Sequence, residues 1–155
     1  GRIRERFYSG PVASHVIRAV REQLSIPVVA NGGVFDRASA QALRSQTGCT
    51  HVMIARGAMG NPWIFRELAD PEVPPPSNEE ICDMVQVHVR GMVELYGENI
   101  GMRQARKIIL SYLKGRGYRR TRRQRAGGLA RLDEFEAFIQ GVRQEGQSVR
   151  YTDPG

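Results

Sequence analysis

The chain has 155 residues, enough for one ordinary domain or two small ones. Its 41% hydrophobic content is that of a globular rather than a disordered chain, and no run approaches the roughly 20 apolar residues of a membrane span. The formal net charge of +7 is unevenly placed and points to a polyanionic partner.

In chain order, the N-terminal Gly1-Arg-Ile-Arg-Glu-Arg6 has no apolar h-region and no initiator Met, which fits a fragment without a signal peptide. The pattern predicts a helix from Pro11 to Leu24 with Val16, Ile17, Val20 and Leu24 on one face. A strand follows over Pro27 to Ala30, apolar throughout, as in a strand covered by helices on both faces. Asp36 caps the next helix, which contains Ala40, Leu43 and Arg44 and ends at Thr47-Gly48. A second strand spans His51 to Ala55. A short helix then begins at Asn61-Pro62, with Asn as N-cap and Pro at the first helical position, and runs to Leu68.

Four prolines within Asp70–Ser77 mark a stiff linker, placed at residues 71–77, and a domain boundary. Beyond it everything reads as helix. Ser77-Asn-Glu-Glu80 is a capping box. Ile81, Met84, Val85, His88, Val89, Met92, Val93 and Tyr96 recur at helical spacing up to Gly97. Further helices are predicted over Met102–Lys114, Tyr118–Ala126 and Leu132–Gln144, the last burying Phe135, Phe138, Ile139 and Val142. Residues 146–155 read as a flexible tail.

Both strands of the first segment break into glycines at their C-terminal ends, at Asn31-Gly32-Gly33 and at Ala55-Arg56-Gly57. Two consecutive strands of a (β/α)8 barrel read this way, and the loops after its seventh and eighth strands often bind phosphate. A complete barrel needs about 250 residues, so this chain holds only part of one. Glycine amides can approach phosphate oxygens closely, and an arginine beside them is a natural clamp through charge-assisted bonds. The dipole of a helix starting at Asn61 would add to this.

Cysteine and histidine carry no such pattern. Cys49 and Cys82 lack metal spacing or a disulfide framework, so no metal site is expected and the compartment reads as cytoplasmic. Both cysteines, and His15, His51 and His88, read as structural. Trp63 and Phe65 fit core packing of the short helix better than base stacking.

From Arg103 to Arg131 there are eleven Arg or Lys and no Asp or Glu, whereas the remainder after Pro71 has three basic and eleven acidic residues. Arg103, Arg106, Lys107 and Lys114 lie on or beside one helix, and Arg119, Arg120, Arg122 and Arg123 follow closely. Such a stretch suits the phosphates of RNA, with Tyr112 and Tyr118 as candidates to stack on an exposed base.

The runs Ile26-Pro-Val-Val-Ala-Asn-Gly-Gly-Val-Phe35 and Thr47–Glu67, with its Arg-Gly-Ala-Met-Gly-Asn-Pro-Trp core, resemble the tRNA-dihydrouridine synthases. Met102–Gly115 resembles that family's helical domain, and the likeness extends to about Val142. Ala55 stands where the family usually has Gly, and Ile108 and Ser111 where relatives often carry His and Trp. The resemblance implies the C-terminal portion of an FMN-binding TIM barrel, its last two strands in residues 1–70, followed by a helical tRNA-binding bundle in residues 78–145. It implies transfer of a hydride from NADPH or NADH, through FMN, to C6 of a flipped-out tRNA uridine, with a cysteine acid at C5. By resemblance, Asn31, Gly32, Gly33, Ala55, Arg56 and Gly57 hold the flavin phosphate, and Arg2 lines the pocket. The catalytic Cys and most of the flavin pocket are expected upstream of Gly1, so the isolated chain is expected to be inactive and the full-length protein a monomer. Two other readings stand: another FMN- or phosphate-binding barrel oxidoreductase acting on a small molecule, and a non-enzymatic RNA-binding helical module.

Overall fold

Helix capping sets most of the element boundaries. The computed structural model describes residues 12–147; Arg2, Pro11 and nearly all of the expected tail lie outside them. The described residues divide into two compact units on either side of the bond between Val73 and Pro74.

The first unit runs α1 (Ser14–Gln23), β1 (Val29–Asn31), α2 (Arg37–Thr47), β2 (His51–Met53), a 3-10 turn (Arg56–Ala58) and α3 (Ile64–Ala69). The strands are parallel, with Ala30 opposite Val52 and Asn31 opposite Met53. Parallel neighbours need a crossover, and α2 supplies it. Asp36 accepts from the Ser39 amide at 2.7 Å, and the Ser39 hydroxyl accepts from the Asp36 amide at 3.1 Å. These bonds satisfy orphan donors at the start of α2, and the Ser39 hydroxyl donating to Asp36 Oδ1 at 2.6 Å, followed by the Ser39 amide, holds the Asp36 carboxyl below its usual range. Gly48, at φ +70°, closes the helix. Arg18 of α1 donates to the carbonyls of Ser45 and Gln46, each at 2.7 Å, and so ties α1 to the end of α2.

Several expectations for this unit change. β1 spans Val29–Asn31 rather than Pro27–Ala30, and it is covered on one face only: Ala30 is fully buried and Val29 is 54% exposed. Ala30, Val34, Ala40, Leu43 and Cys49 make the core, with Ile17, Val52 and Leu68 against it, while Val16, Val20 and Leu24 of α1 stay exposed. A two-stranded sheet has too little surface to bury both of its faces and all of an apolar helix stripe. α3 starts at Ile64, not Asn61, with Trp63 as its cap residue. The Asn61 carbonyl accepts from the Ile64 amide at 3.3 Å in the preceding turn, so neither Asn61 nor Pro62 opens the helix. Trp63 is buried as expected, but Phe65 points outward.

The second unit runs α4 (Asn78–Tyr96), α5 (Glu98–Leu113), α6 (Arg120–Ala126) and α7 (Leu132–Glu145). The Ser77 capping box is present, with Ser77 accepting from Glu80 N at 3.1 Å and Glu80 from Ser77 N at 2.8 Å. α5 begins four residues before the expected Met102, directly after Gly97. Gly101 makes that possible: a Cβ there would lie 2.8 Å from the Met92 carbonyl oxygen, so glycine lets α5 turn back tightly on α4. The buried face of α4 is Ile81, Cys82, Val85, Gln86 and Val89, whereas Met84, His88 and Tyr96 are exposed. Phe135, Phe138, Ile139 and Val142 are buried as expected.

Polar bonds then fix the helices against one another. Gln86 and Arg90 of α4 both donate to Glu136 of α7 at 2.7 Å. Arg143 of α7 donates to Asp83 and Gln86, each at 2.8 Å, and pairs with Glu79. The chain has no helix among the described residues that is long and apolar enough to cross a membrane.

Candidate functional site

Two regions carry the candidate chemistry, one in each unit. In the first, parallel pairing brings the C-terminal ends of β1 and β2 to the same edge of the sheet, so Asn31-Gly32-Gly33 and Ala55-Arg56-Gly57 become neighbours. Gly32 has φ +131° and Gly33 has φ +72°, conformations that L side chains rarely adopt. A Cβ on Gly32 would also sit 2.8 Å from Val12. The two glycines carry no side chain of their own, and that of Val12 packs against them.

Gly57 does something different. It is buried, and a Cβ there would lie 2.2 Å from the Val34 carbonyl oxygen and 3.1 Å from Phe35 Cα. The loop after β2 thus rests directly on the loop after β1. Ala55 and Arg56 are both exposed at the rim, so a methyl group at Ala55 meets no packing barrier. Arg56 lies over the ring of Phe35, with Cζ 5.5 Å from its centroid. Among these residues are a glycine backbone, an amide side chain in Asn31 and a guanidinium, a donor set that suits an oxyanion such as a phosphate monoester.

Neither cysteine belongs to this edge. Cys49 precedes β2, at the opposite end of the sheet, and is buried with the core; Cys82 is fully buried in α4. Burial, then the charge of Asp83, pushes the Cys82 thiol up to about 11, which leaves it protonated at neutral pH. His15 and His51 are on the surface, and His88 Nδ1 lies 3.3 Å from the Tyr112 hydroxyl. No group of three or more His, Cys, Asp or Glu among the described residues is placed to hold a metal ion.

The basic stretch of the second unit divides into two sets. Arg106 Nε donates to the Leu129 carbonyl at 2.6 Å, and Arg122 Nε donates to Glu145 Oε2 at 2.7 Å with a second bond from Nη2. Arg122 and Arg123 are largely covered, and Arg123 Nε is buried without a hydrogen-bond partner among the described residues. Arg106 and Arg122 thus serve the fold. Arg103, Lys107, Lys114, Arg119, Arg120 and Arg125 are exposed and form no ion pair among the described residues. Arg103 and Lys107, four residues apart on α5, fall about 40° apart around the helix axis and about 6 Å apart along it, and Lys114 is the extended residue directly after the helix.

The two tyrosines do not join that row. Tyr112 is 3% exposed and Tyr118 is 6% exposed, and the Tyr118 hydroxyl donates to Asn78 Oδ1 at 2.8 Å. Burial raises both phenols above their usual range. They are core residues with a satisfied polar end, not platforms for a base. The contact of Phe35 with Arg56 joins the loops that follow two different strands, so spacing along the chain gives no sign of it.

The described residues thus combine a parallel β-α-β segment that has glycine loops at adjacent strand ends with a helical unit that has exposed basic residues. A family model described as Dihydrouridine synthase (Dus) matches residues 1–145, and the chain belongs to that family. It is 35% identical over 149 residues to tRNA-dihydrouridine synthase B of Proteus vulgaris, covering 90% of this chain and 46% of that protein. The same enzyme of Escherichia coli (strain K12) is 35% identical over 149 residues, again 90% and 46%. That of Pasteurella multocida (strain Pm70) is 38% identical over 120 residues, 74% of this chain and 36% of the relative. The chain therefore spans less than half the length of these curated relatives.

Proposed function

We propose that this chain is the C-terminal portion of a flavin-dependent tRNA-dihydrouridine synthase, which reduces tRNA uridine to 5,6-dihydrouridine. Residues 1–70 contribute the last two strands of a TIM barrel, residues 71–77 link, and residues 78–145 bind tRNA. The observation that carries this reading is the interlocked pair of loops at one sheet edge, held together by Gly57 against the Val34 carbonyl. Family membership supports it, as does the exposed second face of the sheet, where Val29 and Met53 suit further barrel strands.

In this reading Asn31 and the backbone of Gly32 and Gly33 hold the phosphate of FMN, and Arg56 clamps it through paired N–H donors. Ala55 offers its peptide group, and Gly57 keeps the two loops in register. Bound flavin supplies hydride transfer from NADPH or NADH to C6 of the uridine. The resemblance implies that the proton at C5 comes from a cysteine acid in the other part of the barrel; Cys49 and Cys82 are both buried. Arg103, Lys107, Lys114, Arg119, Arg120 and Arg125 contact tRNA phosphates. The whole protein acts as a cytoplasmic monomer without metal.

The test is to supply the full-length protein with FMN, NADPH and unmodified tRNA and to measure dihydrouridine by mass spectrometry of the digested nucleosides. Dihydrouridine formation that needs FMN is the expected result. Flavin reduction without any tRNA product would favour a small-molecule oxidoreductase. Steeply salt-dependent tRNA binding without flavin binding would favour an RNA-binding module.

A further inference from the structure

Among the described tyrosines and phenylalanines of the second unit, Tyr96 alone is exposed: it is 48% exposed, whereas Tyr112, Tyr118, Phe135 and Phe138 are buried. It is the last residue of α4, and its hydroxyl makes no hydrogen bond among the described residues. Gly97 follows at φ +76° with nothing within 4 Å of where a Cβ would stand, so the turn next to the ring is open space. Ile100, four residues on and 45% exposed, leads into the basic face of α5. Ile100, Arg103 and Lys107 fall within about 60° around that helix and span about 10 Å along it. An aromatic ring, an apolar side chain and two exposed cations thus follow one another from the end of α4 along α5. Two carboxylates flank the ring along the chain: Glu94, which is exposed, and Glu98, whose Oε1 accepts from the Leu132 amide at 2.8 Å. They disfavour a phosphate at Tyr96 itself and leave a neutral flat group as the ligand that suits it.

We propose that Tyr96 is a stacking platform for one unpaired base of the bound tRNA, with Arg103 and Lys107 holding phosphates of the nucleotides beside it. This rests on the reading of the second unit as tRNA-binding. Every base has a π-face, so a ring can hold one whatever its identity, provided the base is free of its own stack, as in a loop, a bulge or an end. Tyrosine has only two side-chain torsions to fix, so it offers that area at low entropic cost. Phosphate contacts alone attract any RNA, whereas a base on a ring demands an unpaired nucleotide at one place on the basic face.

The experiment measures tRNA binding by the full-length protein, by filter binding over a salt series, for the parent and for Tyr96→Ala, Tyr96→Leu, Tyr96→Phe and Arg103→Ala. Tyr96→Ala and Tyr96→Leu are expected to weaken binding about five-fold or more at every salt concentration and to leave the logarithmic salt slope unchanged. The leucine variant keeps apolar bulk, so the test stands even where the alanine variant folds poorly. Tyr96→Phe keeps the parent's affinity, because the ring and not the hydroxyl carries the contact. Arg103→Ala instead lowers the slope by about one. A duplex RNA without unpaired nucleotides should bind the parent and Tyr96→Leu equally. Equal weakening by Leu and Phe, equal weakening of duplex and tRNA, or unchanged tRNA binding by Tyr96→Leu overturns the stacking role alone. Should unchanged tRNA binding come with loss of self-association in light scattering, the ring belongs to an interface between copies instead. If the parent shows no salt-dependent tRNA binding, the reading of the second unit falls and this role falls with it.

Discussion

Two glycines illustrate how much a single residue can decide. Gly57 has a carbonyl oxygen where its Cβ would be, at 2.2 Å, and that oxygen belongs to backbone that cannot swing aside. Gly91, in the interior of α4, has nothing within 4 Å of the same point. Gly57→Ala should therefore lower stability by about 1–3 kcal/mol, the usual cost of overpacking. Gly91→Ala should raise it by about 0.5–1 kcal/mol, because alanine orders a helix at lower entropic cost. Urea unfolding of both variants checks the pair. The two look alike in the sequence; only the neighbours distinguish them. Cys82 gives a second prediction. Its thiol is fully buried and pushed up to about 11, so iodoacetamide at pH 8 should leave it unlabelled in the native protein and label it in denaturant, as read by mass spectrometry.

At the scale of elements, local signals worked where the chemistry was local. The Ser77 and Asp36 caps, the Gly48 stop and the buried stripe of α7 were all legible, because each depends on residues within one or two turns. They were less informative where a neighbour decided. α5 starts at Glu98 because Gly101 lets it pack on α4, and nothing near Gly97 announces that. Asn61-Pro62 has the composition of a helix start, yet the chain turns once more first and α3 begins at Ile64. The link between α4 and α7 titrates. Glu136 is held below its ordinary 4.5, first by the hydrogen bond from Arg90. A carboxyl depressed in the folded state stabilises fully above its unfolded value and loses that contribution as pH falls through the folded one. Glu136→Gln should thus cost about 1 kcal/mol or less at pH 7, since the pair is partly exposed. The difference from the parent should vanish well below pH 4.5, which urea midpoints at both pH values would show.

For the whole molecule, the polarised charge becomes a sorted surface. Eleven basic residues stand between Arg103 and Arg131, but Arg106 and Arg122 are spent on Leu129 and Glu145. Replacing Arg103, Lys107 and Lys114 together by alanine should weaken tRNA binding and flatten its logarithmic salt dependence by about one unit per residue removed. Arg106→Ala should instead lower stability while leaving the salt slope unchanged, because its guanidinium holds a loop carbonyl. Filter binding over a salt series, beside thermal unfolding, separates the two outcomes.

By itself the sequence determined the order of elements, the break near the prolines, the two glycine-bearing strand ends and the basic stretch. Those features rest on periodicity, capping and composition, which act over a few residues. Tertiary structure decided which side of β1 is covered, that Tyr112 and Tyr118 face the core, which arginines remain on the surface, and that Phe35 lies beneath Arg56. Each of those depends on an atom contributed from another element, and burial or pairing across elements has no signature in the spacing along one chain.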